Sequence, residues 1–301
     1  MVNEKYRIIQ DPVYGYKRID PIPSEADIAV FYQARYYDQI KKGGRAPELR
    51  RLMAGGDEAE RERTWLRSTL YSDICFVLNQ SSVSRRVLDV GCGTGELVSY
   101  MKENGFDAVG IEPSSDAVAV AVQKGLDVYN TTLGRFPEHY RSDNLETFDA
   151  VIFLNVLEHV TNPAELIELT KGILSRGGKL CVRVPNDFSE IQMAVKKSLN
   201  KDAWWIAIPD HVNYFDFHSL HSLLQCLGFE VIYSQGDFPM ELFLLMGDDY
   251  VDDSEAGSVC HQKRVRFEMS ISGEMRRHIY MSLAEVGLGR SCLVFGRLRE
   301  E

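Results

Sequence analysis

Three glycines at alternate positions, Gly91, Gly93 and Gly95, follow a short apolar run ending at Val90 and precede a second apolar periodicity that begins at Leu97. A strand that turns at once into a helix needs glycine there: the backbone visits left-handed dihedrals, and a Cβ would hold a ligand off the loop. The loop opens on a helix N-terminus, whose free amides and positive dipole end suit carboxylates, phosphates and ribose oxygens. Asp89 stands just before the turn. Glu112 ends the next apolar run, where a carboxylate can accept two ribose hydroxyls at once. A nucleoside-like ligand is the expectation. Two histidines are candidates for acid–base chemistry beside it. His159 follows the apolar run 148–154, and His211 lies in Pro209-Asp210-His211-Val212-Asn213-Tyr214-Phe215. Histidine titrates near neutrality, which suits removal of a hydroxyl proton, though either ring could equally be structural and bonded to loop backbone.

Spacing separates two cofactor classes. A dinucleotide fingerprint G-x-G-x-x-G places its last glycine three residues beyond the second, and position 96 here is Glu. The stretch Asp89-Val90-Gly91-Cys92-Gly93-Thr94-Gly95 instead resembles motif I of the class I S-adenosylmethionine (SAM) dependent methyltransferases. Further landmarks match that family in order and spacing, over roughly residues 85–235: Gly110-Ile111-Glu112-Pro113-Ser114, the run 148–154 with Asn155-Val156-Leu157-Glu158-His159 behind it, and the segment 209–215.

The resemblance implies an α/β fold, Rossmann-like, with a mostly parallel seven-stranded sheet flanked by helices. It implies SAM as cofactor and S-adenosylhomocysteine as product. The implied cofactor contacts are Tyr37 on an N-terminal lid, unless its aromatic stretch simply packs on the core, Asp89, Gly91, Cys92, Gly93 and Gly95 in the loop, and Glu112 and Pro113 at the ribose. Thr132 and Leu133 would lie against the adenine, where many relatives have an Asp on the exocyclic amine and this chain has none, and Asn155 and Val156 would complete the set. His159 is the favoured base and His211 the second. The acceptor would be a hydroxyl of a sugar, glycan or secondary metabolite. Methylation of an amino sugar or other amine is an alternative, as is a non-catalytic SAM-binding regulator. An NAD-dependent dehydrogenase is the rival that the spacing disfavours.

The 301 residues have room for these elements and for insertions, and 45 % hydrophobic content is ordinary for a globular chain. With 34 basic against 44 acidic residues the net charge is −10, which disfavours a broad nucleic-acid surface. Six cysteines without C-x-x-C spacing suggest buried thiols in a reducing compartment, and argue against disulfides and zinc. No apolar run reaches the ~18 residues that a membrane span needs, so a cytoplasmic protein is expected, with no metal. The oligomeric state has no signal in the sequence.

Residues 1–80 are expected to form an N-terminal arm and helical lid, with 1–23 extended, and residues 81–301 the SAM-binding core, with insertions at about 186–216 and 236–289. Asp57 is expected to cap a helix carrying Trp65, Leu70, Ile74 and Leu78. Ser114 should cap another, through Lys124. Asn162, Pro163 and Glu165 should start a helix that Gly177-Gly178 ends, ahead of a strand over 179–184. The acidic run 248–255 reads as a solvated loop.

Overall fold

The structure, a computed structural model, describes residues 5–24, 50–52, 55–80, 85–139 and 147–299. Its centre is a seven-stranded sheet in the order β5-β4-β3-β6-β7-β10-β9. Strands β3 (Arg86–Val90), β4 (Asp107–Ile111), β5 (Val128–Tyr129), β6 (Phe148–Leu154) and β7 (Leu174–Pro185) pair in parallel, while β10 (Ser291–Leu298) runs antiparallel between β7 and β9 (Phe229–Gln235). Every residue of β3 is buried, as expected of a central strand covered on both faces.

Alternation along the strands builds two core layers. Leu88, Val90, Val151, Phe153, Leu180 and Val182 face one way, toward Ile167 of α6 (Pro163–Lys171) and Leu220 and Leu224 of α8 (Phe217–Cys226). Val87, Ala150, Ile152 and Cys181 face the other way. They meet Trp65 of α1 (Gly56–Leu66), Ile74 of α2 (Ser72–Asn79) and Val98 and Met101 of α3 (Glu96–Glu103). The order reverses between β3 and β6, and at that switch point the carboxyl ends of an open α/β sheet leave a crevice. The glycine loop follows β3, and Asn155 to His159 follow β6, so both sides of the crevice carry the residues singled out above.

Several local expectations hold for the reasons given. Ser114 accepts the Ala117 amide ahead of α4 (Ser115–Gln123), and Asn162 accepts the Glu165 amide ahead of α6. Others are corrected. Gly55, in a left-handed backbone with no side-chain cap, precedes α1, so Asp57 lies in the first turn instead. Between α1 and α2 the helix widens over Arg67–Tyr71. Helix α6 ends at Lys171, and Gly177-Gly178 lie inside β7, where Gly177 takes φ 66 and the register against β6 shifts.

The N-terminal arm is a hairpin of β1 (Arg7–Gln10) and β2 (Lys17–Asp20), turned by Asp11, whose carboxylate accepts the Val13 and Tyr14 amides. Its second strand pairs with β8 (Asn213–Tyr214), in the segment that carries His211. Ile19 packs with Val212 and Tyr214 to seal the join. The first insertion carries α7 (Glu190–Leu199). The second is largely helical, with α9 (Glu241–Leu245), α10 (Ser254–Ser270) and α11 (Gly273–Glu285). The acidic run is therefore more than a solvated loop: Asp253 caps α10, and Asp249 and Asp252 both accept Lys201 at 2.6 Å.

Candidate active site

The glycine loop is fixed first by its backbone. The Gly91 and Cys92 amides donate to the Ile111 carbonyl at 2.8 and 3.1 Å, tying the loop to the end of β4, and Gly95 caps α3 with φ 78. A Cβ on Gly91 would lie 2.8 Å from Val156 Cγ2, and one on Gly95 would lie 2.5 Å from Leu126 Cδ1. Glycine at 91 thus admits the segment behind β6. At Gly93, φ 53, a Cβ would meet nothing within 4 Å, so this stretch of backbone is open to a ligand.

Glu112 closes the other side. Its Oε2 accepts the Gly93 amide at 3.0 Å and its Oε1 accepts the Ser114 amide at 2.9 Å. Each carboxylate oxygen keeps a second lone pair, so the backbone aims the group and leaves it able to accept hydroxyls. Asn130, which sequence reasoning passed over, donates to the carbonyls of both Glu112 and Pro113 at 3.0 Å and pins this corner. Only its position after a short strand could have signalled it. Burial, then the Glu112 charge, pushes the Asp89 carboxyl up to about 7, and burial raises Glu112 against its two amide donors. Burial also holds the Cys92 thiol far above its ordinary value, and the side chain packs against Gly110. Thr132 is exposed, whereas Leu133 is committed to the core, which leaves loop backbone to face a base. Tyr37 and the lid segment around it lie outside the described residues.

Behind β6 the chain makes a tight turn. Asn155 adopts φ 56 and its Oδ1 accepts Arg183 at 2.9 Å, while the His159 amide donates to the Val156 carbonyl at 3.0 Å. One end of this turn touches Gly91 and the other carries His159. The segment 209–215 is stitched onto it: the Val212 and Asn213 amides donate to the Glu158 carbonyl at 2.7 and 3.0 Å, and Asn213 Nδ2 donates to the Leu157 and Val160 carbonyls. The two candidate histidines are thereby brought together, rings edge to face with centroids 5.0 Å apart.

His159 Nδ1 lies 2.9 Å from the Asp210 carbonyl oxygen. A carbonyl only accepts, so Nδ1 carries a proton, and in the neutral ring Nε2 is the nitrogen with the lone pair. Nε2 is 3.8 Å from Glu158 Oε1. Glu158 is 2 % exposed, and burial pushes its carboxyl up against the lowering effect of His159. Ligand atoms of Glu158, His159 and His211 lie within 4.8 Å of one another, a set able to hold a divalent cation. The sequence reading assigned Glu158 no role, although its place beside His159 was a signal.

Comparison with known proteins speaks to family and fold. A family model described as "Methyltransferase domain" matches residues 59–234, more than half of the chain. The chain belongs to this methyltransferase family. Ubiquinone biosynthesis O-methyltransferases are curated relatives: that of Glaesserella parasuis serovar 5 is 31 % identical over 37 % of this chain and 50 % of the relative. That of Marinobacter nauticus is 36 % identical over 35 % of this chain and 46 % of the relative. The chain thus spans about half the length of the curated relatives it matches. Among solved structures, the plantazolicin methyltransferase BpumL, in complex with a monoazolic desmethylPZN analog and SAH, aligns with TM-score 0.52 at 14 % identity, covering 91 % of this chain and 95 % of that one. The likeness shows the fold, the Rossmann-like sheet of class I methyltransferases.

SAM is the cofactor that this family and fold imply. The residues fit it: Gly93 offers backbone that no side chain covers, Glu112 offers oriented lone pairs for a ribose, and Asn155 and Val156 sit across the crevice from them. Among the described residues no helix is long and apolar enough to cross a membrane. All six cysteines are free, four of them buried.

Proposed function

We propose that this methyltransferase moves a methyl group from SAM to a hydroxyl of a small molecule, a sugar, glycan or secondary metabolite, with His159 as general base. Bound SAM supplies an electrophilic methyl on a sulfonium, so positioning of the acceptor oxygen behind that carbon provides much of the acceleration. Asp89, the loop from Gly91 to Gly95, Glu112 and Pro113 would hold the cofactor, with Thr132, Leu133, Asn155 and Val156 around it.

The observation that carries the reading is the setting of His159. The Asp210 carbonyl selects the tautomer whose Nε2 is basic, and Glu158 stands where it stabilises the imidazolium formed when Nε2 takes the acceptor proton. His211 packs edge-on and keeps the ring in place; it is the second candidate for the base. Oxyanion and sulfonium annihilate charge as they combine, so water exclusion by the segment 186–216 favours the step. Methylation of an amine is the second reading, favoured by the buried carboxylates near the histidines. Free, mostly buried thiols fit a cytoplasmic setting.

Incubation of the full chain with methyl-labelled SAM and a panel of small alcohols and amines is the test. Label transfer that depends on His159 supports the reading; tight binding of NAD with none of SAM or S-adenosylhomocysteine ends it. Cofactor binding without transfer to any acceptor would point to a regulator instead.

A further inference from the structure

Around the ends of β6 and β7 the buried polar atoms are unevenly matched. Glu158 Oε2, Asp187 Oδ2, Gln192 Oε1 and Glu241 Oε2 are buried and accept no hydrogen bond from the described residues. All four are acceptors, and they come from three elements: the turn after β6, the stretch from the end of β7 into α7, and α9. They form one cluster. Gln192 Nε2 donates to Glu241 Oε1 at 3.4 Å, and the charges of Glu158 and Glu241 both act on Asp187. Arg290 is within electrostatic range of Asp187 and Glu241, yet the unpaired oxygens receive nothing from it. None of the four side chains is more than 4 % exposed.

Buried polar groups are nearly always satisfied, so these four acceptors call for donors that the described residues do not supply. A neutral hydroxyl brings one donor and lone pairs of its own, whereas an ammonium brings three donors and the charge that buried carboxylates lack. A single metal ion is a poorer match. Among the described residues, the ligand atoms that converge on one point are those of Glu158, His159 and His211, and neither Asp187 nor Glu241 joins them. The residue after Asp187 is aromatic. Phe188 meets the rings of Trp205 and Tyr214 edge to face, with centroids 5.6 and 5.9 Å away.

We propose that this cluster receives a protonated amine of the methyl acceptor, with Asp187 and Glu241 as anchoring carboxylates and Gln192 as an added acceptor. The proposal rests on the methyl-transfer reading and narrows its acceptor to amine-bearing compounds. The ammonium is the handle. The methyl group goes to a hydroxyl or to a separate, unprotonated nitrogen of the same molecule.

The test uses the full chain saturated with S-adenosylhomocysteine at neutral pH. Calorimetric titration compares glucosamine, tyramine and cyclohexylamine, each against its N-acetyl form, which keeps the skeleton and loses the charge. At least one amine should bind ten-fold or more tighter than its acetylated partner. Asp187→Asn and Glu241→Gln, which keep shape, should each abolish that preference while leaving S-adenosylhomocysteine affinity within two-fold. Equal binding within every pair overturns the proposal, as does a preference that survives in both variants. So does uptake of Mg²⁺ or Zn²⁺ that Asp187→Asn removes. Failure of S-adenosylhomocysteine itself to bind would strike the methyl-transfer reading underneath, and is read from a separate titration.

Discussion

Two buried polar clusters lie on the ligand side of the sheet, and they are built on opposite rules. Beneath the inserted helices α10 and α11 every charge is matched. Asp73 accepts Arg276, Arg277 and Gln235 at 2.9, 3.2 and 2.9 Å, and Asp237 accepts Arg264 and the Ser291 amide at 3.1 and 2.8 Å. Glu268 accepts Arg264, Tyr280 and the Trp65 indole. These groups surround a cavity of only ≈ 30 Å³, room for about one water. Around Glu158, Asp187 and Glu241, by contrast, carboxylate oxygens are buried without donors. A network that is complete joins α10 and α11 to the core; the other leaves buried acceptors unmatched among the described residues.

The largest effect should come from breaking the complete network. Arg264→Met removes the cation shared by Asp237 and Glu268, leaving Glu268 buried without it and the half-buried Asp237 with Arg183 at 3.6 Å. Urea unfolding should show a loss of about 3–5 kcal/mol, since an orphaned buried charge costs far more than the intact pair contributes. A loss below about 1 kcal/mol would mean that the two clusters do not differ as described.

In the incomplete cluster the effect should fall on chemistry. His159→Ala should lower kcat by ~10²–10⁴, the usual range for a lost general base, while the SAM dissociation constant stays within two-fold. His211→Ala should cost less, since that ring supports the first. A kcat unchanged by His159→Ala would remove it as the base.

A smaller effect, confined to cofactor binding, is expected at the ribose corner. Glu112→Gln keeps the volume and loses the charge-assisted bonds, so SAM affinity should fall about ten-fold, which is about 1.4 kcal/mol, with kcat at saturation nearly unchanged. Direct titration with SAM checks it.

These contrasts were unevenly legible in the sequence. The cofactor half could be read because its constraints are local: alternate glycines force one loop, and Glu112 ends a strand whose register follows from apolar alternation. His159 and His211 were visible as types, but their meeting depends on Asn213 and the Glu158 carbonyl, contacts between segments some 50 residues apart. The matched network was invisible, because Asp73, Asp237, Arg264 and Arg276 carry no common motif and meet only through the folding of α10 and α11. The glycine pair at 177 and 178 misled, because glycine ends helices and bends strands alike, and only pairing with β6 decides between them.

The smallest effect on stability should come from Asp187→Asn, and its smallness is the sharpest test of the contrast. Burial first, then the charges of Glu158 and Glu241, holds the Asp187 carboxyl well above the usual carboxylate range. The sign follows from linkage. An unfolded Asp titrates near 3.9, so between there and its raised folded value the native state binds more protons than the unfolded one, and stability declines as pH rises. Glu158, Glu241 and Asp89 push in the same direction, Asp89 across the window from about 4 to about 7. Asparagine cannot ionise, so Asp187→Asn should change stability by no more than ~1 kcal/mol near pH 5, stabilise slightly at pH 7, and flatten the decline between them. Urea midpoints at the two pH values decide the matter. A variant that is several kcal/mol less stable at both would show that Asp187 is bound into the fold like Asp73, and the distinction between the two clusters would be lost.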